Sequence, residues 1–212
     1  MLTIPHRRAR RAEFDMPRPS QADERRRQLL PIVARAFAEL GYRRTTTAEL
    51  AKRCKVRENI LYRLWRDKKA MFVASIEFVY ALSADTWQRL LAEGDDGKRP
   101  AERLLQYESE HHGESGLQRL VFAGLSETND PAIRRALRTM YRRFHRCIGE
   151  QISAYRDERR TPRPDVPLSA WAVIGLGTLA SIVQELELLK SGERKRFMAD
   201  VGQLLIEGRP AN

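Results

Sequence analysis

Apolar positions recur along this chain three and four residues apart, the spacing of one helix face, and no run alternates long enough to read as a strand. Leu30, Val33, Ala34 and Phe37 mark a helix from about Ala22 to Leu40, with Gly41 ending it. Pro31 lies inside that pattern, so the helix is expected either to start near Leu30 or to kink there. Two short helices come next. Thr46 and Glu49 have capping-box spacing, and Leu50, Ala51 and Cys54 give the first helix its buried face. Lys55 and Val56 fill a tight connection, and Ile60, Leu61, Leu64 and Trp65 give the second helix its apolar side. Asp67 is placed to cap a long helix from Lys68 to about Leu91, carrying Met71, Ile76, Val79, Leu82, Trp87, Leu90 and Leu91. At 1.5 Å per residue it would reach ~35 Å.

The turn GDDGKRP (94–100) separates it from a helix running from Pro100 to about His111, with Leu104, Leu105 and Tyr107. After HGESG another helix fits about Leu117 to Ser126. Asn129-Asp130-Pro131 then supplies a polar cap and an early proline. Ile133, Leu137, Met140, Tyr141, Phe144, Ile148, Ile152 and Tyr155 form the stripe of a long helix whose other face carries Arg134, Arg135, Arg138, Arg142 and Arg146. TPRPDVP (161–167) reads as a loop, and two last helices fit Leu168–Lys190 and about Glu193–Glu207. The pattern predicts an all-α chain of about nine helices without internal repeats.

Two short helices joined by a tight turn match a helix-turn-helix, whose second helix would lie in a DNA major groove. Charge strengthens that reading. The formal net charge is +11, and residues 1–66 hold 17 Lys/Arg against 7 Asp/Glu while the remainder holds 22 against 21. The excess sits with the helix pair, as expected for a polyanionic partner whose counterions are released on binding. Residues 1–20 (HRRARR, then MPRPS) lack apolar periodicity and are expected to form a disordered basic arm, which could track phosphate or enter a minor groove.

The stretch GYRRTTTAELAKRCKVRENILYRLWRDKKAMF resembles the DNA-binding region of the TetR family of transcription regulators. Gly41–Tyr42, the threonine run, Leu50–Ala51, Val56, Leu61–Tyr62, Trp65 and Lys68 carry the resemblance. Arg57 stands where the family usually has a small polar residue, Asn59 where it has Gly, and Leu64 near its usual His or Tyr; these differences bear on which DNA sequence is read. The resemblance implies a three-helix DNA-binding domain at 21–67 and a helical effector-binding and dimerisation domain at 68–212. It further implies a repressor that leaves a palindromic operator in double-stranded DNA when a small, unidentified effector binds.

Arg57, Glu58, Asn59 and Ile60 open the second short helix, where residues of this geometry face base edges. Arg can bridge guanine, Asn can bridge adenine, and Ile can touch a thymine methyl. Glu58 could accept from cytosine or serve as the helix's own N-terminal charge. Thr46, at the cap of the first short helix, belongs to the same surface. The resemblance places Thr47, Tyr62 and Lys68 on phosphates, and Arg63 stands open between the two roles.

The helix from Leu168 is apolar nearly all round through Val183 and so needs cover on more than one side. Small residues Ala172, Gly175, Gly177 and Ala180 would admit a close neighbour, and Phe197, Val201, Leu204 and Leu205 stripe the last helix. The resemblance puts a homodimer interface on these two helices, with Ala172, Gly175, Leu176, Leu179, Phe197, Val201 and Leu204 as its residues. Between the long linker helix and this pair, Trp87, Tyr107, Tyr141, Phe144, His145 and Trp171 are candidates for an effector-pocket wall.

Other function classes find less support. Glu110, His111, His112 and Glu114 superficially resemble metal ligands but lack a His-x-x-x-His pair, and they are expected at an exposed helix end. No Gly-rich phosphate loop, nucleophile elbow or Cys-x-x-Cys pair occurs, so neither an enzyme nor a cofactor is expected. Cys54 and Cys147 are distant and lie on apolar faces, as buried thiols of a reducing cytoplasm would. The uncharged run from Leu168 falls short of a membrane span of ~20 residues, and no signal peptide is apparent. A helical ligand carrier without DNA function remains the alternative, with a helical enzyme behind it.

Overall fold

The computed structural model describes residues 20–92, 97–159 and 165–208. The basic arm, save Ser20, and much of the two turns expected at 94–100 and 161–167 therefore lie outside the described residues. Those described form nine helices and no strand: α1 (Gln21–Arg44), α2 (Thr47–Cys54), α3 (Glu58–Leu64), α4 (Lys68–Ala92), α5 (Pro100–His111), α6 (Gln118–Leu125), α7 (Pro131–Glu158), α8 (Val166–Glu185) and α9 (Ser191–Glu207).

The first helix neither starts at Leu30 nor breaks at Pro31. It opens at Ser20, whose hydroxyl accepts from the Asp23 N–H, and leaves helical dihedrals only at Gly41 (φ 73°). Pro31 lies on the exposed side, as does Arg27 one turn earlier, so water can serve the carbonyl that proline leaves unpaired. At α8 the expected boundaries shift at both ends. Val166 and Pro167 belong to its first turn, where a proline has no helical donor to lose. Its end comes at Glu185 rather than Lys190, because the chain turns left-handed at Glu187 (φ 52°) and Leu188 N–H closes on Val183 O. With 20 residues and an 18-residue stretch of mean hydropathy 1.8, α8 is by length and composition long and apolar enough to cross a membrane, contrary to the sequence expectation. In this fold it packs along α7 and α9.

Two apolar cores result. One joins α1 to α4 with α6 and the first half of α7, through Val33, Phe37, Leu50, Leu61, Phe72, Ile76, Leu120 and Ile133. It does not stop at residue 67, so the helix-turn-helix shares its interior with the helices C-terminal to it. The other gathers Ala101, Ile152, Tyr155, Ala170 and Ile206 from α5, α7, α8 and α9. Ion pairs reinforce the first junction: Arg43 Nε donates to Glu127 (2.7 Å) and Lys69 Nζ to Asp130 (3.0 Å). Asp130 also caps α7 through the N–H groups of Ala132 and Ile133. Its bond from Lys69 holds the carboxyl below the usual aspartate range.

The second core contains a buried arginine. Arg156 is 2% exposed and donates to Ile206 O (3.0 Å), Leu205 O (3.0 Å) and Ser169 Oγ (2.8 Å). It therefore closes the C-terminus of α9, where helix carbonyls lack intrahelical partners. Gly208, at φ 81°, leaves room for it, since a Cβ there would stand 2.9 Å from the guanidinium carbon.

Candidate DNA interface and effector cavity

The two short helices are set by caps at each end. Thr46 Oγ1 accepts from Glu49 N–H, as its spacing predicts, but the Glu49 carboxylate accepts from Arg53 rather than being returned to the cap. The chain turns between helices at Lys55 in the left-handed region (φ 54°), with Val56 N–H closing on Ala51 O. Leu61 and Leu64 of α3 are buried under α1, and Arg26 of α1 donates to Leu64 O (2.6 Å), fixing the end of α3.

The outer face of α3 is thereby displayed. Arg57, Glu58, Asn59, Tyr62 and Arg63 are all exposed, while Ile60 is half-buried against the core. Two of these positions are linked to α2: Thr47 Oγ1 donates to Glu58 (2.7 Å), and Tyr62 Oη donates to Thr47 Oγ1 (3.2 Å). The expected phosphate-contacting hydroxyls thus meet one another, with their protons directed along a string ending at Glu58. Lys68 points inward. Its ammonium donates to Tyr42 O and Thr45 O, each at 3.1 Å, and lies 4.6 Å above the Tyr42 ring. Two of its three N–H groups thus hold the carbonyls between α1 and α2.

A cavity of about 210 Å³ lies among α4 to α9. Trp87, Tyr141 and Phe144 line it, and Tyr107, His145 and Trp171 do not. Tyr107 stacks on His111 on α5 (4.7 Å between ring centres). His145 stacks on Trp171 (4.6 Å) and faces Pro167 O through Nε2, and Trp171 is 46% exposed on the outside of α8. An aromatic on a mostly apolar helix cannot be assigned to the inner or outer side by spacing alone, hence the difference.

The polar part of the wall escaped the sequence reading. Trp87 Nε1–H donates to Glu108 Oε1 (2.7 Å), and Glu108 Oε2 lies 3.1 Å from His112 Nδ1. His112 Nε2 faces Gly177 O (2.8 Å) and Ser181 Oγ (3.0 Å). His112 therefore turns inward instead of standing at an exposed helix end. Gly177 permits this, since a Cβ there would come 3.2 Å from the imidazole. Among the described residues no three His, Cys, Asp or Glu side chains gather as a metal site. Burial pushes up the Tyr141 hydroxyl and the thiols of Cys54 and Cys147, the last on the cavity wall.

Of the expected interface positions, Ala172, Gly175, Leu179 and Leu204 are exposed, and Phe197 and Val201 are half-buried. Leu176 is buried and lines the cavity, on the inner side of α8. Leu168, Trp171, Ile182 and Leu186 extend the exposed stripe of α8. Nothing in the chain lies within 4 Å of a Cβ added at Gly175.

Residues 34–75 match the family described as bacterial regulatory proteins, tetR family. The chain is 29% identical over 87 residues to the HTH-type transcriptional regulator HbdR of Aromatoleum sp. (strain CIB), an alignment spanning 41% of this chain and 36% of that protein. Its fold is similar to that of a TetR-family regulator from Cytophaga hutchinsonii (TM-score 0.75, 14% identity, 92% of this chain and 100% of that one). It is also similar to E. coli NemR in reduced form (0.72, 19%, 88% and 100%) and to a Saccharomonospora viridis chain solved in complex with choline (0.70, 17%, 85% and 96%). The family match thus lies over the helix-turn-helix, and the all-helical fold of the rest of the chain is similar to that of TetR-family transcriptional regulators.

Proposed function

We propose that the protein is a cytoplasmic homodimer that represses transcription from a palindromic operator and is released from it by a small-molecule effector. The observation carrying the reading is the face of α3: five polar or charged side chains exposed above a core-anchored side, in the part of the chain that holds nearly all its net positive charge. In this account 21–67 reads DNA, with Arg57, Asn59 and Arg63 toward the groove and Thr46, Thr47 and Tyr62 beside the backbone. Residues 68–212 hold the effector and the partner chain. The exposed stripe of α8 with Leu204 of α9 supports the dimer, since an apolar surface of this continuity on one helix marks an interaction site. Recognition helices of such a dimer sit about one DNA turn apart, ~34 Å.

Release is then a population shift. The same helix, α4, carries Lys68 at the DNA-binding end and Trp87 on the cavity wall. A ligand that fits better with α4 tilted would favour dimers whose α3 helices no longer match one DNA face. Light scattering tests the assembly: twice the 24.5 kDa chain mass is expected for the wild type, and one chain mass for Gly175→Leu with Ala172→Leu. Because Gly175 faces open space in its own chain, the double variant should keep its helical circular dichroism. A wild-type monomer that binds a palindromic site tightly would overturn the proposal.

A further inference from the structure

The cavity wall is unusual for this chain. Of 39 Lys and Arg residues none is among the described residues lining it, and Glu108 is its one carboxylate. An anionic ligand would meet no arginine or lysine and would face Glu108. His112 bridges Glu108 to α8: Nε2 faces the carbonyl of Gly177 and Nδ1 faces the Glu108 carboxylate. Elsewhere on the wall, Gln118 keeps a buried Oε1 without a hydrogen-bond partner. These groups border an apolar and aromatic space that includes Trp87, Phe122, Tyr141 and Phe144.

Resting on the effector reading above, we propose that the ligand of this cavity is a small organic cation, a positively charged nitrogen on an apolar body, with Glu108 as its counter-ion. The cation takes the place of the His112 imidazole beside Glu108. Aromatic faces attract such a cation further. Size narrows the choice: a cavity of ~150 Å³ accepts benzene, so 210 Å³ suits one ring with a short polar arm. On the other titratable groups of the wall, Tyr141 and Cys147 of α7, burial favours the neutral form; α4, α6, α8 and α9 contribute none. The proposal also gives Glu108 a part in release. It bonds Trp87 of α4 and, through His112, Gly177 of α8, so a cation drawing Glu108 away loosens the tie between the DNA-bearing helix and the exposed stripe.

Isothermal titration of the full chain with benzylamine, benzyltrimethylammonium, benzyl alcohol and benzoate tests it. Benzylamine is expected to bind at least tenfold tighter than benzyl alcohol and to lose that preference in Glu108→Gln. Because it lacks N–H groups for Gln118, benzyltrimethylammonium is expected to bind more weakly than benzylamine but tighter than the alcohol. Equal binding of the two cations still supports charge recognition and removes Gln118 from it. If the alcohol or benzoate binds as tightly as both cations, the inference is overturned while the cavity stands as a ligand site. If none of the four binds, both fall. The ranking within the wild-type chain decides the matter even if Glu108→Gln fails to fold.

Discussion

Lys68 offers the sharpest test of how sequence likeness and structure divide the work of this DNA-binding region. Lys68→Met keeps an apolar stem of similar length and removes the ammonium. That group donates to two carbonyls at 3.1 Å and covers the Tyr42 ring. Hydrogen bonds from a charged group contribute roughly 1.5–3 kcal/mol each, and a cation over an exposed ring about 0.5–1. Their sum is an upper bound, because the site is half-buried, water can reach part of it, and contacts sharing one atom do not add. A loss of about 2–3 kcal/mol is therefore expected, or roughly 4–12 °C in Tm for a chain of this size. Urea unfolding followed by circular dichroism measures it. DNA affinity across a salt series is the companion assay, since a lost phosphate contact lowers the slope by about 0.9. As a strut, Lys68 should leave the slope of the folded variant nearly unchanged. Undiminished stability together with a slope lower by about one would refute the inward role.

The remaining predictions concern three other places in the fold. Glu58→Gln removes the anion that collects the Thr47 and Tyr62 hydroxyl protons, so affinity for random-sequence duplex should rise several-fold while its salt dependence steepens, measured by fluorescence anisotropy. Arg156→Met leaves the carbonyls of Leu205 and Ile206 unpaired; at about 1–3 kcal/mol each, roughly 2–6 kcal/mol of stability should be lost in urea unfolding. Arg57→Ala and Asn59→Ala should each cost about 1–3 kcal/mol on the preferred DNA site and relax its sequence preference, read from matched and single-mismatch duplexes.

Helices whose apolar residues fall on one narrow stripe were legible in the sequence. The caps at Thr46 and Asp130, the stop at Gly41 and the long stripe of α7 stand where spacing puts them. Legibility failed where a helix is apolar all round. On α8 nothing in the period distinguishes Leu176, which turns into the cavity, from Leu179, which faces outward, or marks Trp171 as external. The polar wall failed for a different reason. Glu108 and His112 are four residues apart on α5, a spacing that places them on one face, but the neighbouring His111 and Glu114 suggested an exposed cluster. Only the arrival of Gly177 from α8 makes His112 an interior residue, and tertiary approach of that kind leaves no local signature.

Selection of DNA from a random duplex pool by the purified full chain tests the central claim most directly. The account predicts enrichment of an inverted repeat whose half-sites lie about one helical turn apart, bound by two chains, with Arg57→Ala and Asn59→Ala each loosening defined positions in both halves. Enrichment of no sequence, or of a single unrepeated site bound by one chain and unaffected by either substitution, would contradict it.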